Sequence, residues 1–296
     1  MVKIVGAVMV LREKQGPVPR EAREILRGID AEVRRHCAGG EFVSYTKTDI
    51  PDGKGGVLTA QEHARRLAFR EIAGRLSDTG LEAKIGRILK SDPKDERKVV
   101  FEMGWEKFEA VRSLLGALSD EARALGREEP QVFGHDVLSN ATGTPRSTFD
   151  SIHASMVGEA RKALNGVLDK VKEHCPPGKI ESITETDEKD LMGKKLQASV
   201  YASDLLVLTV LREIESKEAR GKIMEMLYAS SAEDGAKMAA GLGDGVFSFV
   251  REYYELLTAV AKDKSMFETD VMANASGAVL GNLRLIEHSR KKMERE

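Results

Sequence analysis

Residues 41–76 constrain the fold most, because three kinds of local signal follow one another there without a gap. Phe42, Val43, Tyr45 and Thr46 are β-branched or aromatic and favour extended backbone. Pro51-Asp52-Gly53 is a turn signal: proline presets φ, aspartate bonds its own backbone, and glycine accepts positive φ. Thr59 with Glu62 three residues on spells a capping box. Ala60, Ala64, Leu67, Ala68, Ile72 and Leu76 then recur at helical spacing. The stretch reads as strand, glycine-rich turn and amphipathic helix.

The same stretch holds the one arrangement suited to a ligand. Gly53, Lys54, Gly55 and Gly56 precede a helix N-terminus at Thr59, so N–H groups and a cation are offered to an anion. Arg66 and Arg70 follow on one stripe of the helix, beside His63, and extend the positive charge. The spacing is neither that of a Walker A loop nor that of a dinucleotide fingerprint. No motif here names a reaction, and none calls for a cofactor.

Around this stretch the pattern predicts an α+β N-terminal domain, a small mixed sheet with helices, over residues 1–130. Residues 2–11 are apolar on both alternating faces, as in a central strand. A helix is expected over 20–36. Strands are expected at 81–90 and 98–104, joined by a hairpin at SDPKDE, before a helix over 105–125. Pro130, Gly134, Gly143 and Pro145 mark 131–146 as a loop or linker. From 147 to 296 the 3.6-residue period predicts a mainly α-helical bundle, so the chain is helix-rich overall. Within it, residues 205–211 (LLVLTVL) are apolar all round and are expected at the buried centre. Ala273, Gly277 and Gly281 share a helix face and predict a close helix–helix contact. No internal repeat or sustained heptad pattern is apparent.

Composition narrows the function classes. A length of 296 residues suits one large or two ordinary domains, and a formal charge of −2 gives no global pull towards nucleic acid or membrane. Aromatic residues make up only 5% of the chain, which leaves few stacking platforms for single-stranded nucleic acid. Locally, 63–98 is basic. Cys37 and Cys175 are too few for a disulfide framework. Each follows a histidine, but the pairs His36-Cys37 and His174-Cys175 are too far apart for a compact zinc motif. No run approaches the ~20 apolar residues of a spanning helix, and the N-terminal apolar run is short for a signal peptide. A cytoplasmic protein without a membrane partner is expected.

His135, Asp136, Asp150 and His153 lie among several serines, so a Ser-His-Asp set can be assembled on paper. No nucleophile elbow accompanies it. The sequence therefore favours a non-enzymatic, self-associating structural or interaction protein whose partner is itself, a homo-oligomer. The alternatives are a nucleic-acid-associated protein binding phosphates through 53–98, and an enzyme acting on an anionic small molecule at 53–59.

Overall fold

The structure is a computed structural model and describes residues 19–295 apart from 38, 40, 41, 130–134, 266 and 268. The strand expected at 2–11 lies outside the described residues. The chain is helix-rich and forms two compact units, Met1–His153 and Ala154–Glu296.

In the first unit, α1 (Pro19–Arg35) leads into a two-stranded antiparallel hairpin, β1 (Lys47–Pro51) and β2 (Val57–Thr59). Four helices follow: α2 (Ala60–Arg75), α3 (Leu81–Ile88), α4 (Pro93–Met103) and α5 (Trp105–Glu128). The first half of α6 (His135–Glu173) completes the unit and its second half opens the next. The second unit continues with a hairpin, β3 (Glu185–Lys189) and β4 (Lys195–Gln197). It ends with α7 (Ala198–Arg212), α8 (Lys217–Leu227), α9 (Ala232–Ala240), α10 (Asp244–Ala261) and α11 (Val271–Met293).

Several expectations are corrected. Among the described residues the first unit holds one two-stranded hairpin instead of a mixed sheet. Residues 81–88 and 93–103 are helices. Leu81, Ile85 and Ile88 are all buried at i, i+4 and i+7, so helical burial outweighs the strand preference of the β-branched residues. Pro93 opens α4 with Asp95 and Glu96 in its first turn, a helix start instead of a hairpin turn. Residues 135–146, expected as a linker, form the first turns of α6, with Pro145 inside the helix. Leu206, Val207, Val210 and Leu211 are buried, but Leu208 is 48% exposed, so α7 packs one face only. A Cβ placed on Gly277 or Gly281 meets no atom within 4 Å, so the expected close contact is not made among the described residues.

The largest correction is that the chain is a tandem repeat. Laid against 159–205, residues 21–67 are identical at 19 of 47 positions. These spell EAR-x2-L-x-G-x4-V-x2-HC-x2-G-x3-S-x-T-x-TD-x2-D-x2-G-x2-L-x-A-x3-A-x2-L. The offset of 138 residues is the separation of the two His-Cys pairs. A second block, Asp136, Val137, Asn140, Ala141 and Gly143, recurs as Asp270, Val271, Asn274, Ala275 and Gly277. The element order repeats as well: helix, hairpin, four helices and a closing helix. Gly104 and Gly243, at the N-caps of α5 and α10, both have φ in the left-handed region that favours glycine.

Each unit has its own core. In the first, Leu26, Ile72, Leu115 and Leu118 are fully buried, and Phe108 stacks on Phe149 with centroids 5.0 Å apart. In the second, Leu164, Leu206, Phe247, Tyr254 and Leu283 are buried. None of the described helices is long and apolar enough to cross a membrane.

Candidate functional site

The glycine-rich turn expected to bind an anion is filled by the chain itself. The Lys54 and Gly56 N–H groups donate to the Asp52 carboxylate at 2.6 and 2.9 Å. These bonds, with Lys54 and Arg66 nearby, hold the Asp52 carboxyl below its ordinary pKa. Gly53 and Gly55 have positive φ, which lets the turn close around Asp52. Thr59 caps α2 and Glu62 completes the box, with the Thr59 N–H donating to Glu62 at 2.8 Å. The helix N-terminus thus already faces a carboxylate. Arg66 folds back to the Asp52 carbonyl at 3.4 Å, which brings it to the turn. Arg70 is exposed further along α2. In the second unit Asp190 accepts from Met192 and Lys194, both at 2.9 Å, so the turn is rebuilt there.

Of the residues read as a Ser-His-Asp set, the side chain of His135 lies outside what the structure describes, and Asp150 and His153 are engaged elsewhere. Asp150 pairs with Arg112 at 3.2 Å and Arg146 at 3.4 Å. His153 stacks on Trp105 with centroids 5.7 Å apart, and burial lowers its pKa. The two His-Cys pairs are matched residues of the two units, and among the described residues no group of three or more metal-ligating side chains converges. Burial raises the pKa of both thiols, so neither is activated. A cleft of about 840 Å³ opens beside Cys175. Its lysines are engaged at its rim, Lys172 with Asp169 and Lys179 with Glu181.

Asp136 belongs to a different arrangement, which neither composition nor a known motif signals. Residues 43–46 form a turn, not the extended segment their side chains suggest. The Ser44 N–H donates to the Asp136 carboxylate at 2.8 Å, and the Asn140 amide donates to the Ser44 hydroxyl at 2.9 Å. The Thr46 hydroxyl accepts from the Val43 N–H at 3.0 Å, and the Thr46 N–H donates to the Val43 carbonyl at 3.0 Å. From the start of α2, Ala60 and Gln61 donate to the Thr46 and Ser44 carbonyls. Tyr45, at the apex, is 75% exposed.

The second unit repeats this bond for bond. The Ser182 N–H donates to Asp270 at 3.1 Å, and the Asn274 amide donates to the Ser182 hydroxyl at 2.7 Å. The Thr184 hydroxyl accepts from the Glu181 N–H at 2.9 Å. Ala198 and Ser199 donate to the Thr184 and Ser182 carbonyls. Ile183 occupies the apex and is 71% exposed. Below each turn a histidine joins the first helix to the hairpin: His36 to Asp49 at 2.7 Å and His174 to Asp187 at 2.8 Å.

Each turn is therefore held by donors and acceptors from three elements while its apical apolar side chain faces solvent. The sequence signal that finds this site is the repeat itself, through the recurrence of S-x-T-x-TD and of D-V-x2-N-A-x-G.

Compared with known proteins, the chain matches no family model, no curated protein and no solved structure.

Proposed function

We propose that the protein is a non-enzymatic, self-associating interaction protein that uses its two braced turns as anchors. The supporting observation is the exposure of Tyr45 and Ile183 at matched positions of turns whose backbone is fixed by side-chain hydrogen bonds. A rigid loop presenting a large apolar side chain has already lost most of its conformational entropy, so little is lost on binding. Burying such a side chain contributes about 1.5–3 kcal/mol. Two anchors on one chain raise the avidity beyond that of either alone. The internal filling of the glycine-rich turns argues for contact through side chains and against capture of a phosphate by backbone N–H groups.

The test is the mass in solution, by sedimentation equilibrium over a wide concentration range. The wild-type chain is expected to associate, and a Tyr45→Ser, Ile183→Ser variant is expected to remain monomeric at an unchanged Tm. A wild-type chain that stays monomeric throughout, or a double variant that associates as before, overturns the reading.

A further inference from the structure

The matched turns and helices of the two units carry opposite charge. From 43 to 70 there are five basic and three acidic residues, whereas the matched 181–208 have three basic and six acidic. The reversal falls on surface positions. Lys47 is matched by Glu185, and both are exposed on the first strands of their hairpins, β1 and β3, whose burial patterns are the same residue for residue. Arg66 is matched by Asp204, and Val43 by Glu181. The matched segments thus keep their buried positions, Ala64, Ala68, Phe69 and Ile72 against Ala202, Leu206, Val207 and Val210, while their net charge changes from positive to negative.

Their apolar content differs in a complementary way. On the first unit the exposed apolar residues of this region are Tyr45 and Val57. On the second they are Ile183, Leu191, Met192, Val200 and Leu208. Leu191 and Met192 stand fully in solvent at the hairpin tip, at the positions of Gly53 and Lys54. Val200 and Leu208 lie where α2 has Glu62 and Arg70.

We infer that the partner of each face is the other face on a second copy of this chain: the basic Tyr45 face of one molecule docks on the acidic Ile183 face of the next. This rests on the self-association proposed above and adds its pairing rule. Charge complementarity excludes the two like-with-like pairings, because like charges juxtaposed at an interface are destabilising. The contact is therefore heterologous, between two different patches of the same chain. The apolar knobs supply the desolvated centre and the charges supply the rim and the register.

The pairing rule is tested by charge reversal on one face at a time. Lys47→Glu with Lys54→Glu turns the first face acidic. Glu181→Lys with Glu185→Lys turns the second face basic. All four side chains are exposed, so the Tm of each variant is expected to stay near that of the wild type. Each variant alone is expected to associate more weakly by about tenfold or more at low salt, where screening is least. An equimolar mixture of the two is expected to form mixed complexes, because one now carries two acidic faces and the other two basic ones. A chain with all four substitutions is expected to associate with itself again. If the reversed variants associate like the wild type, while Tyr45→Ser with Ile183→Ser abolishes association, the anchors stand and the pairing rule is overturned. Failure of the mixture to form mixed complexes overturns it as well. A wild-type chain that is monomeric at low salt overturns both.

Discussion

The side-chain amide of Asn140 donates to the hydroxyl of Ser44 at 2.9 Å across 96 residues of chain, and Asn274 does the same to Ser182 across 92. These bonds tie the closing helix of each unit to the turn that follows its first helix. Each also orients the serine whose N–H is held by the neighbouring aspartate, so turn and helix start form one polar knot.

Removing one member of the knot is expected to loosen the turn without unfolding the unit. Asn140→Ala deletes a side-chain hydrogen bond of ordinary strength, a loss of about 1 kcal/mol. Faster amide hydrogen exchange at Ser44 and Tyr45, with slow exchange retained in α5, is the expected readout. Asn274→Ala is expected to do the same at Ser182 and Ile183. Unchanged exchange at these amides would show that the Asp136 and Asp270 bonds suffice.

Acid is expected to destabilise the first unit from near neutrality. Burial lowers the pKa of His63 from its ordinary 6.5, with nearby His36 adding to the shift. The unfolded chain therefore binds the proton more readily below about pH 6.5, and stability falls as the pH drops from there to the folded-state pKa. His63 is matched by Tyr201. The His36–His63 and His174–Tyr201 rings both lie edge to face with centroids 5.3 Å apart. His63→Tyr is expected to fold and to flatten the fall in Tm below about pH 6.5, leaving the part due to half-buried His153, whose pKa is lowered as well. A Tm profile in this variant as steep as the wild type would place the acid sensitivity elsewhere.

The α7 helix is expected to distinguish two neighbouring positions. Leu206 is fully buried, so Leu206→Asp places an unpaired charge in the core at a cost of several kcal/mol and is expected to unfold the unit. Leu208 is half exposed, and Leu208→Asp is expected to fold with Tm lowered by only a few degrees. Thermal melts of both variants measure the difference. Equal loss in the two would mean that the outer face of α7 is covered within the unit.

Gly277 is expected to accept a side chain. A Cβ there meets no atom of the described residues within 4 Å, and glycine inside a helix is less favourable than alanine by about 1 kcal/mol. Gly277→Ala should therefore raise the Tm of the second unit. A lower Tm would reveal a close neighbour of the α11 face, the contact that the small-residue spacing suggests.

Local chemistry was legible wherever one segment carried its own explanation. The Thr59–Glu62 box, the Asp52 turn and the apolar spacing of α5 all reappear in the structure, because caps, turns and helical periods are set by residues within a few positions of one another. The repeat was also written in the sequence. It is faint because no run of consecutive identities exceeds the three residues Glu21-Ala22-Arg23, and its offset of 138 residues exceeds the periods of common repeat folds. Only tertiary structure decided the rest. Residues 81–103 carry helix and strand signals of similar strength, and burial of Leu81, Ile85 and Ile88 on one face chose the helix. Leu208 reads as core by composition, but among the described residues it is left 48% exposed on α7. The braced turn is the clearest case. Ser44 and Asp136 are 92 residues apart, and nothing local to either foretells that one will hold the other. A hydrogen bond acts over about 3 Å. Which distant groups come within that distance is settled by the packing of all the helices in the unit, so the braced turn and its exposed apex emerge only from the folded chain.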